Sequence, residues 1–314
     1  MEYGWLPYPV PNIFNSEGKA MITIRAKGGL GNQLFQYATG YAMSKRLEQK
    51  MSIDTSFYPK QTLRGYKLDK LLIDSKVTIS NEQNIKINIL KSKYLNKLLR
   101  QVGWSIIRCG KNSTYMLECR SDLVEKFNEV KDDNIYIDGY YQSELYFKDY
   151  KKYLVEQFNP TYKPETEFLE ELDKINKCNS IAVHVRRGDF LSAQNDPNPN
   201  HYLLGEQYYH NALKYVNECL ENPVFFWFSD DIDWVKQNFG ETENFRFVSL
   251  HTKHADIDEM MLMKNCKHII AANSTFSWWA SWLNEHEDAL HICPAKRYGN
   301  LHMIPENWIK IAVE

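Results

Sequence analysis

The sequence predicts an α/β protein made of two Rossmann-type domains facing a cleft. Three observations lead to this reading. Short apolar runs alternate with helical stretches through the second half of the chain. Each half opens with a strand that ends in glycine, at MITIRAKGG and again at SIAVHVRRG. A length of 314 residues accommodates two domains of ordinary size. Strands alternating with helices imply a doubly wound parallel sheet, whose ligands bind outside the carboxyl ends of its strands.

Residues 1–20 contain three prolines and no periodicity, and read as an irregular extension. They have no basic n-region and no apolar h-region, so they are not a secretory signal. An N-terminal domain is expected over 21–175. It begins with the strand and glycine turn of MITIRAKGG and continues in a helix over 32–47. MSIDTS and IYIDGYYQ are its next strands, whereas the Lys-rich residues 60–130 read as helices and loops without a fixed place. A polar stretch over 159–177 separates the halves. The C-terminal domain, 176–314, carries strands at 180–185, 223–229, 245–250, 268–272 and 289–293, with helices at 206–220, 232–239, 257–265 and 276–285.

A formal net charge of −2 and a pI near 6.5 exclude a general nucleic-acid binder, which makes any local basic pair conspicuous. Twenty Tyr and eight Trp exceed what a core usually requires, a surplus that suits sugar handling or a tight aromatic core. The six cysteines are dispersed, with no CxxC and no histidine at ligand spacing. That pattern reads as reduced thiols of a cytoplasmic protein and not as a disulfide frame or zinc site. No apolar run reaches the ~18 residues that span a bilayer.

Three segments carry chemistry. GGLGNQ, residues 28–33, joins a strand to a helix, where backbone N–H groups approach an anion and the helix dipole favours it. Its spacing is neither the dinucleotide fingerprint nor the P-loop, and a tight turn capped by Asn32 is the plain alternative. HVRRGD, 184–189, brings two adjacent arginines to a strand end. Arginine offers phosphate a permanently charged fork of donors. Alternation along a strand turns one of the two to the ligand and the other inward, with Asp189 the nearest carboxylate, and His184 points to the same side as Arg186. ANSTFSWWASWL, 272–283, sets Asn273, Ser274 and Thr275 between a buried strand and an aromatic helix, a capping position and a second anion site. Trp278, Trp279 and Trp282 read as helix core.

Taken together with GYYQSELYF, SDD and CKHIIAANSTFSWWASWLN, in that order along the chain, these segments resemble glycosyltransferase family 11, the α-1,2-fucosyltransferases that use GDP-fucose. HxRRxD is also similar to the signature of α-1,6- and protein O-fucosyltransferases. The resemblance implies a GT-B-like fold with GDP-fucose on the C-terminal domain and the acceptor on the N-terminal one. It implies inverting transfer of L-fucose from GDP-β-L-fucose to the 2-hydroxyl of a terminal β-galactose in an oligosaccharide or lipid-linked glycan. It sets Arg186 against the β-phosphate and His184 near the guanosine. Asn273, Ser274, Thr275 and Phe276 fall near phosphate and base. Asp258 or Glu259 is the guanine-binding acid, and Gly31, Asn32 and Gln33 close over the donor or the reacting centre. The base that takes the acceptor proton is open between Asp189, Asp196 and His201.

SDDID, 229–233, spells the Asp-x-Asp by which transferases of the other main fold hold Mn²⁺ or Mg²⁺. It follows a buried strand and opens a helix, so Asp230 and Asp231 read as first-turn residues and Asp233 as solvated. No metal and no cofactor besides the donor are expected. A cytoplasmic place is expected, peripheral at the inner membrane face where the acceptor is lipid-linked, with no nucleic-acid partner. An α-1,6-fucosyltransferase or another GDP-sugar transferase is the alternative, against which NSTFSWW argues. A non-catalytic sugar-binding protein on the same scaffold is a third reading, against which the intact Arg186 argues.

Overall fold

The structure, a computed structural model, describes residues 20–60, 65–80, 89–101, 103, 105–118, 123–188, 191, 202–295 and 303–313. The chain divides after Thr161 into two units, and each has its own six-stranded sheet.

In the first unit β1 (Met21–Arg25) buries Ile22 and Ile24 and leads into a turn at Gly28. The φ of +81° at Gly28 is a conformation that a side chain would strain. The turn opens α1 (Leu30–Arg46), a helix buried on nearly every side, which is why its sequence shows little amphipathic pattern. There follow β2 (Lys50–Asp54), β3 (Thr78–Ser80), α2 (Lys93–Gln101), β4 (Ile106–Gly110), β5 (Ser113–Leu117), α3 (Leu123–Phe127), β6 (Asn134–Asp138) and α4 (Lys151–Gln157). The sheet order is β3-β2-β1-β6-β5-β4, parallel throughout except that β4 runs antiparallel to β5. Residues 60–130 therefore contribute three strands, where the sequence suggested helices and loops. β3 is a short edge strand with little burial, and β4 half-buries every second residue, so neither shows the continuous apolar run of an inner strand.

The second unit begins earlier than residue 176, because α5 (Thr166–Asn176) packs on this unit's own elements. β7 (Asn179–Val185), α6 (Glu206–Cys219), β8 (Pro223–Ser229), α7 (Ile232–Phe239) and β9 (Phe245–Val248) follow. α8 (Ala255–Asn265), β10 (His268–Ile270), α9 (Thr275–Leu283), β11 (His291–Pro294) and β12 (Ile309–Ile311) complete it. The sheet is all parallel in the order β12-β11-β10-β7-β8-β9. Counted from β7, this is the doubly wound order of dinucleotide-binding folds, with the reversal between β7 and β10. Trp278 and Trp279 are fully buried and Trp282 nearly so, as the helix-core reading expected.

Asp138 holds three neighbouring strands of the first unit together. Fully buried at the end of β6, its carboxylate accepts from Arg25 Nη1 at 2.7 Å, Lys27 Nζ at 2.5 Å and the Tyr115 hydroxyl at 2.6 Å. Burial alone raises the pKa of such a group, but the two cations and the hydroxyl outweigh it and hold the carboxyl well below the usual range. A depressed folded pKa contributes stability that is present above the unfolded value, about 4, and lost as pH falls further. Asp138→Asn leaves two cations without their partner and is expected to destabilise the protein by roughly 3–5 kcal/mol at neutral pH. The variant also loses part of the acid dependence seen in denaturant titrations below pH ~4. An unchanged midpoint at neutral pH would contradict this role.

Candidate functional site

The strand order reverses between β7 and β10, the position at which open α/β sheets take ligands outside the carboxyl ends of their strands. β7 delivers Arg186 there and β10 delivers Asn273, Ser274 and Thr275. β7 and β8 stay in parallel register to their last residues, Val185 opposite Ser229. The segments that follow, RRG and DD, therefore emerge side by side.

Arg186 Nη1 lies 2.6 Å from Asp230 Oδ2, and the Arg187 amide donates to the other oxygen of Asp230 at 2.8 Å. Arg187 Nε meets Asp231 Oδ2 at 3.1 Å, and its guanidinium lies 3.9 Å from the centre of the Trp234 ring. Both arginines thus engage the turn between β8 and α7 instead of opposite faces of the sheet. The pleat ends at Val185, and strand alternation no longer governs the two residues beyond it. Gly188 belongs to the same arrangement, since a Cβ there would lie 2.6 Å from Asp230 Oδ2. Asp189, expected to pair with Arg187, lies outside the described residues, as do Asp196 and His201. Among the described residues Arg187 has Asp231 and Trp234 as partners.

Asp231 is the N-cap of α7, accepting from the Trp234 amide at 3.2 Å, and Asp230 precedes the helix. Only Asp233 of the three lies in the first turn, where it is exposed. Asp230 is the partner of Arg186 that the sequence reading missed. Its sole signal there was an acid placed directly after a buried strand.

His184 is 5% exposed, and its Nδ1 has no hydrogen-bond partner among the described residues. Burial first, and then the charge of Arg186, push its pKa down to about 3, so the ring is neutral. The ring centre is 5.6 Å from that of Phe276. Asn273 is also buried, and its Nδ2 donates to the Tyr202 carbonyl at 2.7 Å while its Oδ1 has no partner among the described residues. An orphaned buried polar atom costs about 1–3 kcal/mol, and the two at the ends of β7 and β10 retain capacity for a further hydrogen bond. Ser274 caps α9 by accepting from the Phe276 amide at 3.3 Å, and Thr275 and Phe276 are half-buried beside it. Two adjacent tyrosines of α6 brace this edge: the Tyr209 hydroxyl donates to the His184 carbonyl at 3.2 Å and the Tyr208 hydroxyl to the Ala271 carbonyl at 2.6 Å.

The two candidate acids differ sharply. Asp258 is 2% exposed, with one oxygen accepting from the Tyr162 hydroxyl and the other from Thr252 Oγ1, both at 2.6 Å. It is committed internally. Glu259 is half-buried, and among the described residues its hydrogen-bond partner is the Leu250 amide, at 3.4 Å. Burial, and then the charges of Asp256, Asp230 and Asp258, push its carboxyl up to about 7 against the pull of that amide.

In the first unit α1 starts at Leu30 with Gly29 as its N-cap, so Asn32 lies within the first turn and is not the cap. Gly31 is buried beside it, and Asn32 Oδ1 accepts from Gln142 Nε2 at 2.8 Å. Gln33 is wholly buried, donating to the carbonyls of Gly28 at 3.1 Å and Gly65 at 3.0 Å and accepting from the Lys67 amide at 2.9 Å. It braces the glycine turn from inside.

Residues 6–310 match the family model of Glycosyl transferase family 11. An α-1,2-colitosyltransferase of Escherichia coli is 32% identical over 302 residues, covering 93% of this chain and 99% of its own. A galactoside α-(1,2)-fucosyltransferase 2 of Bos taurus is 24% identical, covering 90% of this chain and 73% of its own. Among solved structures, the fucosyltransferase NodZ from Bradyrhizobium has the same fold, with a TM-score of 0.51 at 14% identity over 84% of this chain and 93% of its own. A match that runs from the N-terminal unit through the arginine motif to the last strand makes this chain a member of glycosyl transferase family 11.

Proposed function

We propose that the protein transfers L-fucose from GDP-β-L-fucose, with inversion, to the 2-hydroxyl of a terminal β-galactose. The observation that carries this reading is Arg186, held by Asp230 at the reversal point of the second sheet, beside the unpartnered atoms of His184 and Asn273. The acceptor O2 bonds to the anomeric carbon while the bond from that carbon to the β-phosphate oxygen breaks, and the electron pair stays on GDP. Arg186 and the amino end of α9 stabilise the phosphate charge as it grows, already oriented before the reaction begins. Asp230 is a positioning residue for Arg186. Phe276 and neutral His184 flank the nucleoside, and Glu259, not Asp258, accepts from the guanine N–H groups. The acceptor hydroxyl becomes acidic as it bonds to a cation-like sugar, and Asp189 is the motif carboxylate assigned to take its proton. Asn32, with Gly31, lies at the glycine turn on the acceptor side, and Gln33 supports that turn.

A second donor is favoured by one relative, the α-1,2-colitosyltransferase. Colitose is L-fucose without its 3-hydroxyl, so GDP-colitose offers the same diphosphate and guanine with a smaller sugar. The acceptor is a galactose-containing oligosaccharide or lipid-linked glycan, met in the cytoplasm at the inner membrane face. Among the described residues no helix is long and apolar enough to cross a membrane.

The deciding experiment supplies GDP-fucose or GDP-colitose with lactose, N-acetyllactosamine or galactose-β-1,3-N-acetylhexosamine in excess EDTA, and determines the product linkage. An α-1,2-fucoside formed without added metal is expected. Preference for GDP-colitose favours the second donor. An α-1,6 linkage overturns the assignment, and activity restored only by Mn²⁺ or Mg²⁺ removes the metal-free mechanism.

Arg186→Ala is expected to lower kcat by ~10²–10³ with the melting temperature nearly kept. Arg186→Lys is also poor, because an ammonium lacks the fork. Retention of about half the wild-type rate contradicts the phosphate role. Arg187→Ala instead loses the ion pair and the Trp234 contact, and is expected to lower stability by about 1–2 kcal/mol with GDP affinity little changed. The opposite pattern exchanges the two roles. For Glu259, raised to about 7, donor affinity climbs as pH rises through that value, because only the carboxylate accepts from guanine. Glu259→Gln flattens the profile, and affinity that falls over this range refutes the assignment.

A further inference from the structure

From Ile89 to Leu117 the sequence carries Lys91, Lys93, Lys97, Arg100, Arg108 and Lys111 and no aspartate or glutamate, in a chain of formal net charge −2. α2 lies in this run. Its inner face is ordinary: Leu99 and the preceding Leu90 are buried with Ile107, Cys109, Tyr115 and Leu117, and Leu95 packs against them. Its outer face is not. Tyr94 is 89% exposed, Leu98 one turn further is 53% exposed, and Ile89 just before the helix is 63% exposed. A spacing of four sets Tyr94 and Leu98 on one face, with Lys97 beside them. Lys91, Asn96, Lys97, Arg100 and Gln101 line an open depression along the same helix. Lys91 is committed to Asp54, and Arg100 also donates to the Glu118 carbonyl, but Lys97 and Arg100 are exposed.

A few protruding apolar side chains flanked by cations fit one kind of partner better than another. A stable protein interface needs ~800 Å² and some 20–30 residues on each side, whereas the exposed large apolar side chains among the described residues here are Ile89, Tyr94 and Leu98. An anionic bilayer requires no complementary surface. Its headgroup boundary takes the apolar side chains, and lipid phosphates meet the cations.

We propose that α2, together with Ile89, docks the protein on an anionic lipid bilayer. The docking rests on this helix alone and not on which sugar is transferred. Its position does bear on the proposed reaction. Lys91 pairs with Asp54 at the carboxyl end of β2, so the docking segment starts at the ligand-binding edge of the first sheet, where an acceptor carried on lipid would arrive.

The test is co-sedimentation of the full chain with phosphatidylglycerol-containing vesicles and with pure phosphatidylcholine vesicles, at low and high salt. Binding to the first and not the second, weakened by salt, is expected. Tyr94→Ser combined with Leu98→Ser is expected to reduce binding about tenfold or more, and Lys97→Glu by about fivefold to tenfold. Both variants keep wild-type transfer to a soluble oligosaccharide, which shows that they are folded. No sedimentation with phosphatidylglycerol vesicles, or wild-type binding by the double serine variant, overturns the proposal. Sedimentation without vesicles that the double variant abolishes also overturns it, because the face is then a contact between copies. Absence of sugar transfer by the wild-type chain speaks against the proposed reaction and leaves the binding result intact.

Discussion

The ion pair between Arg186 and Asp230 exists because β7 and β8 run in parallel register to their last residues. Two strands that end level release their following segments at the same height, and here one segment is basic and the other acidic. Most of the site follows from that coincidence. Gly188 leaves room for the Asp230 carboxylate, Asp231 caps α7 while holding Arg187, and Trp234 on the same helix covers the second guanidinium. An arginine anchored in this way is already oriented for the diphosphate proposed for it, and preorganised charge of that kind is usually the largest single term in catalysis.

The carboxyl edges of the two sheets are partnered differently. In the first unit the buried acids are saturated, Asp138 by Arg25, Lys27 and Tyr115 and Asp54 by Lys91 and Tyr136, although Arg25 Nε has no partner among the described residues. In the second unit the edge retains unsatisfied polar atoms, on His184 and Asn273, next to a charged arginine. A closed network fixes the position of strands and turns. An open one holds hydrogen-bonding capacity that a ligand completes.

Legibility followed the apolar character of each run, and burial alone was not enough: β5 is wholly buried but opens on Ser and Thr and did not stand out. β7, β8 and α7 stand out in the sequence because inner parallel strands are continuous apolar runs and the helix after β8 carries one apolar stripe. β3 and β4 do not stand out, because edge strands need no such run. Among the site residues, Arg186, His184 and the Asn273–Phe276 segment were recognisable as residue types at strand ends. The partner of Arg186 was not, since Asp230 is distant in sequence and no local spacing links the two. Asp258 and Glu259 were indistinguishable as neighbours in the chain, and only the hydroxyls of Tyr162 and Thr252, which occupy Asp258, separate them. Gln33 looked like part of a ligand-facing turn, but its amide is engaged by the carbonyls of Gly28 and Gly65 and the amide of Lys67.

By itself the sequence determined the α/β class, the strand-end positions of both motifs and the resemblance to family 11, all of which depend on local periodicity and short motifs. Only the tertiary structure decided which acid holds Arg186, which of Asp258 and Glu259 is engaged internally, and that Tyr94 and Leu98 face outward while Leu95 and Leu99 pack inward. Those choices depend on strand order, register and burial. They bring together residues that the chain itself keeps far apart, and no local pattern encodes such distances.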